Sequence, residues 1–351
     1  MQNEARGPYK SRMGLEAFFC PGTQILGCNM KFSSLKKVLA IGLAAVVVVG
    51  ALAGCGDNKA GAQKKFLNIG TGGTAGTYYP IGGAMAEILN KNIEGMNATA
   101  QSTGASVANI NMLKDGSIDL AIIQNDITYY AANGTEMFKD KKVDNLRGIA
   151  ALYPETCQAV TLESSGIKTI ADLKGKRVSV GAAGSGVEAN ARQILAAYGL
   201  TYDDIQVQYL SFGESSSALK DGNVDAAFLT AGFPTAAVQD LASQNKIRIL
   251  AVDPDKADQL ISQYPFYTKT VIPAGTYAGF DEDVPTVSVM AMLVASDKVD
   301  DQMGYDIAKA LFTNLDRLKE AHSVGKLITK EGALKGMPIP MNAGAEKFFK
   351  E

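Results

Sequence analysis

The residues of this chain best placed to do chemistry are glycines and small hydroxyl side chains gathered in three turns. The first is Gly70-Thr71-Gly72-Gly73-Thr74-Ala75-Gly76-Thr77-Tyr78-Tyr79, the second Ser102-Thr103-Gly104-Ala105-Ser106, the third Gly184-Ser185-Gly186-Val187-Glu188. Each stands just before a helical pattern. Free backbone N–H groups at a helix N-terminus attract anions, and glycine lets a ligand approach the backbone closely. A dinucleotide reading of the first turn requires an acidic residue closing the second strand, and Gln101-Ser102-Thr103 stands there instead. A P-loop fails as well, because Thr77 follows Gly76 where lysine is required. One such turn is ordinary capping. Three at the same end of parallel strands are where open α/β sheets place ligands.

None of the three turns contains Lys or Arg. An anion held there relies on N–H groups, hydroxyls and helix N-termini. The expected contacts are Thr74, Gly76 and Tyr78 from the first turn, Ser102 and Ser106 from the second, and Gln124 after an apolar strand. From the second half come Ser185, Gly186 and Val187, with Gly232 and Phe233 closing the wall. Asp126 either binds an amine or caps the helix that follows it. His322, the single histidine, is expected to be solvated or capping. Ser185 lacks the Gly-x-Ser-x-Gly pattern of a nucleophile elbow, and no nucleophile–base pair is visible. No metal site and no cofactor are expected.

These turns need a frame. Strands are expected at 66–69, 98–100 and 119–123, with helices from Ile81 to Asn90 and from the Ser102-Thr103 cap to about Lys114. A second unit runs through strands at 177–180, 207–210, 225–229 and 247–252, with helices between them. The segments Lys114-Asp115-Gly116-Ser117-Ile118-Asp119-Leu120-Ala121 and Lys220-Asp221-Gly222-Asn223-Val224-Asp225-Ala226-Ala227 match almost residue for residue, a weak internal repeat. Two long apolar strands join the units: Arg147 to Leu162, interrupted at Pro154, and Thr286 to Ala295. The C-terminal part is helical. The expectation is an α/β protein of two related lobes on a two-strand hinge. The first lobe takes 66–154, the second 155–286, and 287–351 returns through the hinge to the first.

The chain has 351 residues, 46% hydrophobic and 20% charged, with net charge -2. That is globular composition and carries no basic footprint for nucleic acid. Near the N-terminus Lys36-Lys37 precede an apolar run ending Leu52-Ala53-Gly54-Cys55. A charged start, a short apolar run and small residues before the cleavage point describe a secretory signal over 30–54. The Leu-Ala-Gly-Cys ending resembles a bacterial lipobox, in which the cysteine is acylated and becomes the mature N-terminus. Residues 1–29 read as an upstream extension before a start at Met30, and 55–65 as a flexible tether. With Cys55 blocked, Cys157 has no intrachain partner outside the extension and is expected to be a small buried residue.

From about Leu67 to Glu351 the chain resembles the TAXI family, the TRAP-associated extracytoplasmic solute receptors. The motifs are Ile69 to Pro80, Ser102 to Asn109, Asp119 to Asp126, Gly184 to Glu188 and Pro340-Met341-Asn342-Ala343-Gly344-Ala345. The last departs from the family's His-Pro-Gly-Ala, with Asn342 and Ala343 in place of His and Pro. The resemblance implies a type II periplasmic-binding-protein fold and a small organic anion, glutamate-like or dicarboxylate-like, as ligand. It also implies partnership with a TRAP permease driven by an ion gradient; the chain itself is expected to be a monomer, anchored to the membrane by the lipid on Cys55. The alternatives are a receptor of the same fold for an ABC permease or a signalling protein, and an α/β hydrolase or deaminase, disfavoured by the missing dyad.

The anchor is testable alone. Replacing Cys55 with Ala should abolish acyl-chain labelling and processing at that site. Labelling of the variant at the wild-type level would refute the lipobox reading.

Overall fold

A computed structural model describes residues 65–351. The expected extension, the signal at 30–54, Cys55 and all but the last residue of the tether lie outside them. The elements in chain order are β1 Lys65–Gly70, α1 Tyr78–Asn92, β2 Met96–Gln101, α2 Ser106–Asp115, β3 Leu120–Gln124, α3 Asn125–Asn133 and β4 Leu146–Leu162. Then come β5 Arg177–Ser179, α4 Gly186–Ala197, β6 Gln206–Gln208, α5 Phe212–Lys220, β7 Ala226–Ala231, α6 Ala236–Ala242, β8 Ile247–Leu250, α7 Pro254–Gln263 and β9 Thr268–Ile272. The chain ends with β10 Val284–Ser296, α8 Asp301–Phe312, α9 Leu315–Ala321 and α10 Ala343–Lys350.

The fold is two α/β lobes. In the first, β2, β1 and β3 run parallel in that order. In the second, β6, β5 and β7 repeat the arrangement. Strands β4 and β10 are antiparallel to each other and continue both sheets, β10 pairing with β3 and β4 with β7. The helices cover both faces, so the inner strands are mostly apolar: every residue of β3 and of β7 is buried, Gln124 and Thr230 being the polar ones.

The internal repeat has a physical cause. In the first lobe Asp119 stands just before β3, and its carboxylate accepts the backbone N–H of Asn68 on β1 at 2.8 Å, while its own N–H donates to Asn68 O. In the second lobe Asp225 does the same before β7, accepting the N–H of Arg177 on β5 at 2.8 Å and donating to Arg177 O. A short acceptor at that point fixes the register of two parallel strands, so both lobes need the same residue. Arg177 adds a guanidinium contact of 2.6 Å to Asp225, which holds that carboxyl below its ordinary range.

Two expectations are corrected. Pro154 does not interrupt the hinge: β4 runs unbroken through it, because the strand's pairing with β10 slips register between Met290 and Met292 and leaves room for a residue without an N–H. Nor do Ser102 and Thr103 cap the second helix. It starts later, after Ala105, and Thr103 instead accepts the Ala105 N–H at 3.1 Å.

The C-terminal helices pack on the first lobe. Asn342, which replaces the family's histidine, caps α10: its Oδ1 accepts the N–H groups of Gly344 and Ala345 at 3.0 and 3.1 Å, and its Nδ2 donates to Val299 O at 2.9 Å. The side chain is buried. Asn342→Ala should therefore cost about 2 kcal/mol of unfolding free energy, a lost cap plus an orphaned carbonyl, as read from denaturant midpoints. A loss under about 0.5 kcal/mol would contradict this account of the cap.

Candidate ligand-binding site

Between the lobes lies a cavity of about 80 Å³ lined from both sides. The turns that the sequence singles out supply much of it: Gly72, Gly73, Gly76, Thr77 and Tyr78 from the first, Thr103, Gly104, Ala105 and Ser106 from the second, Ser185, Gly186 and Val187 from the third. Gln124, at the end of β3, joins them. Among these lining residues none is Lys, Arg or His.

Four helices start at this cavity, and they differ. In the second lobe α4 and α5 are capped by their own serines: Ser185 Oγ accepts the Glu188 N–H at 3.3 Å, and Ser211 with Glu214 forms a capping box. In the first lobe α1 and α2 have no side-chain cap and no acidic residue in the first turn. Pro80 has no N–H and the Ala108 N–H goes to Gly184 O, so it is the remaining first-turn N–H groups and the positive ends of the two dipoles that are left for an anion.

The lobes meet around the cavity through polar bonds. Thr77 Oγ1 donates to Gly232 O at 3.0 Å, the Ala237 N–H to Ala75 O at 3.2 Å and the Ala108 N–H to Gly184 O at 3.1 Å. Gln124 Nε2 donates to Asn190 Oδ1 at 3.0 Å. This is a closed arrangement.

Seven of the expected contacts line the cavity: Gly76, Tyr78, Ser106, Gln124, Ser185, Gly186 and Val187. Four do not. Thr74 is exposed at the tip of its turn. Ser102 is exposed and donates to Gly72 O at 3.0 Å, which braces the turn from outside. Gly232 and Phe233 form a seam: Gly232 O takes the Thr77 hydroxyl, and Phe233 O takes that of Ser323 at 3.2 Å. Asp126 does not reach the cavity; it serves the first turn of α3, where its Oδ1 accepts the Ile127 N–H at 2.9 Å. It is buried, its Oδ2 accepts Asn190 Nδ2 at 3.0 Å, and burial pushes its carboxyl up to about 6. His322 does cap: its Nδ1 accepts the Val324 N–H at 3.2 Å, while Nε2 reaches Pro234 O across the lobes.

The sequence reading missed Glu155. It lies on the hinge strand β4, 1% exposed, and borders the cavity. Tyr78 donates its hydroxyl to Glu155 Oε2 at 2.7 Å. Burial pushes this carboxyl well above the usual range, further than the Tyr78 hydrogen bond can offset. The signal was available: the one acidic residue of a long, mostly apolar strand is costly to bury unless it has a task. Ser211 and Phe212 were missed too, although they open the second helix of the second lobe, the counterpart of the Ser102–Ser106 turn.

Among the described residues no hydrolytic dyad forms. Burial pushes the free Cys157 thiol up to about 12, and the thiol lies against Thr230 at 3.6 Å. Among the described residues no group of three or more His, Cys, Asp or Glu side chains is placed to hold a metal, and no helix is long and apolar enough to cross a membrane.

Two α/β lobes on a pair of shared strands, with a cavity between them fed by helix N-termini, define the type II periplasmic-binding-protein fold. The chain belongs to the NMT1-like family, whose model matches residues 69–351. It is similar to a putative aliphatic sulfonates-binding protein of Escherichia coli (strain K12), 37% identical over 79 residues, 22% of this chain and 24% of that one. The match thus spans about a quarter of that relative's length. Among solved structures, a protein from Bordetella bronchiseptica RB50 has 18% identity and a TM-score of 0.50, over 82% of this chain and 89% of that one. PhnD1 from Prochlorococcus marinus (MIT 9301), solved in complex with methylphosphonate, has 13% identity and a TM-score of 0.50, over 75% and 90%. These likenesses show the fold. The relatives with a named role are binding proteins, not enzymes.

Gly186 of the second lobe packs against Gln124 and Ile127 of the first. A Cβ there would fall on Gln124 Oε1. Gly186→Ala should therefore weaken ligand binding by about tenfold to a hundredfold, with the folded state kept, because overpacking here opposes closure rather than folding. Gly76 differs: its φ is not left-handed, and its limit is space, with Phe212 3.3 Å from a Cβ. Calorimetric titration of Gly186→Ala against wild type is the check, and equal affinity would mean the lobes do not close as described.

Proposed function

We propose that the mature chain is an extracytoplasmic solute receptor that captures a small organic anion and hands it to a membrane importer. The observation that carries this is the cavity between the lobes onto which two uncapped helix N-termini open. Free N–H groups with a helix dipole behind them hold a carboxylate, sulfonate or phosphonate without a cation. Space limits the cargo. A single water occupies roughly 10–15 Å³ on this scale, so about 80 Å³ suits a ligand of about five to ten non-hydrogen atoms.

Two permeases fit. The similarity to a sulfonate-binding protein favours an ABC permease. The sequence motifs of the first lobe favour the ion-gradient-driven TRAP permease. Uptake by cells separates them: abolished by an ionophore but not by vanadate, it is gradient-driven, and the reverse result makes it ATP-driven.

The receptor reading requires motion, since hydrogen bonds join the two lobes around the cavity. The cross-lobe bonds from Thr77, Ala237 and Gln124 must open and re-form around the cargo. A thermal-shift screen of small carboxylates, sulfonates and phosphonates should find compounds that raise the melting temperature. Small-angle scattering with a compound so identified should then show a smaller radius of gyration than the free protein. Equal radii at saturation would overturn the closure model.

A further inference from the structure

We propose that Glu155 receives the cargo as a neutral acid: its free carboxyl oxygen carries a proton and donates it in a hydrogen bond to the ligand's anionic group, so that closure on the ligand takes up a proton. The proposal rests on the receptor reading above and deepens it by naming a group that regulates the site.

Tyr78 ties Glu155 to the start of α1. It is the first residue of that helix, and its hydroxyl donates to Glu155 Oε2 at 2.7 Å. Both residues line the cavity, onto which the uncapped starts of α1 and α2 open. Those helix ends attract an anion. Yet Glu155 is the single acid among the lining residues, and no Lys, Arg or His stands with it to offset a negative charge. An ionised Glu155 would repel the anion that the helix ends attract. A protonated Glu155 removes the conflict and gives the ligand one more donor. Tyr78 already satisfies Oε2, and among the described residues none bonds to Oε1. The proton and its hydrogen bond therefore belong on Oε1.

The surroundings favour this form. The titratable groups facing Glu155 are Tyr78 from α1, Tyr153 and Cys157 from its own strand, and Asp126 from α3. Its neighbour on β10 is Val289, and β7 brings Thr230 and Ala231 to the cavity wall. None of these is a cation, and burial outweighs the Tyr78 hydrogen bond. In an open cleft water hydrates the carboxyl and returns it toward its ordinary range, so it is ionised near neutral pH. Closure then turns carboxylate, anionic ligand and one proton into a carboxyl hydrogen-bonded to the anion, and charge balances. The carboxyl's pKa is higher in the closed, liganded form than in the open one. Affinity is therefore greatest at low pH. It falls by up to about tenfold per unit as pH rises from the open-form value to the liganded one.

The test is calorimetric titration of the purified full-length chain with glutamate, malate, 2-oxoglutarate and isethionate, whose acidic groups stay ionised from pH 6 to pH 8. Repeating each titration in buffers of different ionisation enthalpy counts the protons. For a compound that binds, the expected result is uptake of up to one proton per ligand near neutrality, with affinity about tenfold or more weaker at pH 8 than at pH 6. Glu155→Gln puts an amide donor in the same place without a titrating proton. It should abolish the uptake, flatten the pH profile and bind at pH 8 at least as tightly as wild type. The wild-type proton count and pH slope decide the matter even if the variant folds poorly. Asp126, pushed up to about 6 by burial, titrates nearby without reaching the cavity, and uptake due to it would survive in the variant. Uptake that survives Glu155→Gln, proton release, an affinity that is flat or rises with pH, or a variant bound about tenfold more weakly than wild type at pH 8 overturns the neutral-acid role and leaves the receptor reading standing. Failure of all four compounds to bind at millimolar concentration overturns both.

Discussion

The antiparallel pairing of β4 with β10 is the constraint on which everything else hangs. These two strands are the only described ones that extend both sheets: β10 borders β3 and β9, and β4 borders β7 and β8. A chain that shares two strands between lobes gets a cleft at their midpoint and a bend axis in the same place. The register slip by Pro154, between Met290 and Met292, falls there too. A side chain on that stretch, such as Glu155, sits at the cleft floor whichever way the lobes swing. The helix ends must travel with their lobes. The floor is thus the fixed reference for the ligand, and the rims are the moving parts.

Much of this was legible because it is periodic or local. The turns before α1, α2 and α4 announce themselves by glycine and hydroxyl density. The repeat around Asp119 and Asp225 announced two related lobes because the same hydrogen bond to the neighbouring strand is needed twice. The two-strand hinge followed from length and apolarity. What failed was depth. Thr74 and Ser102 share a turn with residues that line the cavity, yet both point away from it, and residue type does not say which side of a turn a side chain takes. Ser102 and Thr103 looked like caps by composition, whereas the helix begins three residues after Thr103, behind an Ala105 of positive φ. Glu155 was overlooked because an apolar run conceals a single acid unless its burial cost is asked about.

Nearly all of the contacts around the cavity are neutral. Thr77 to Gly232, Gln124 to Asn190, Ala237 to Ala75 and Ala108 to Gly184 pair hydroxyls, amides and backbone groups that water can satisfy equally well in an open cleft. Such bonds contribute roughly 0.5–1.5 kcal/mol each, and much of that is returned to water on opening. Neutral seams suit a receptor that must release its cargo, because no desolvated ion pair has to be broken first. Charged pairs occur farther out, as between Arg192 and Glu136 at 3.2 Å, where both partners keep some contact with solvent.

The buried oxygen of Gln124 then acquires a thermodynamic role. In the closed form without ligand it is an acceptor with no partner, which costs about 1–3 kcal/mol relative to the open form, where water reaches it. Closure without cargo is penalised by the very groups that closure buries. A ligand able to donate to that oxygen removes the penalty and adds its own contacts at the N-termini of α1 and α2, so its affinity for the closed form exceeds that for the open form by both amounts. A ligand can shift an equilibrium only by its differential affinity for the two states. Here the differential is built from the unsatisfied Gln124 oxygen and the free N–H groups at the starts of α1 and α2, and a compound that meets only one of them closes the lobes less completely than one that meets both.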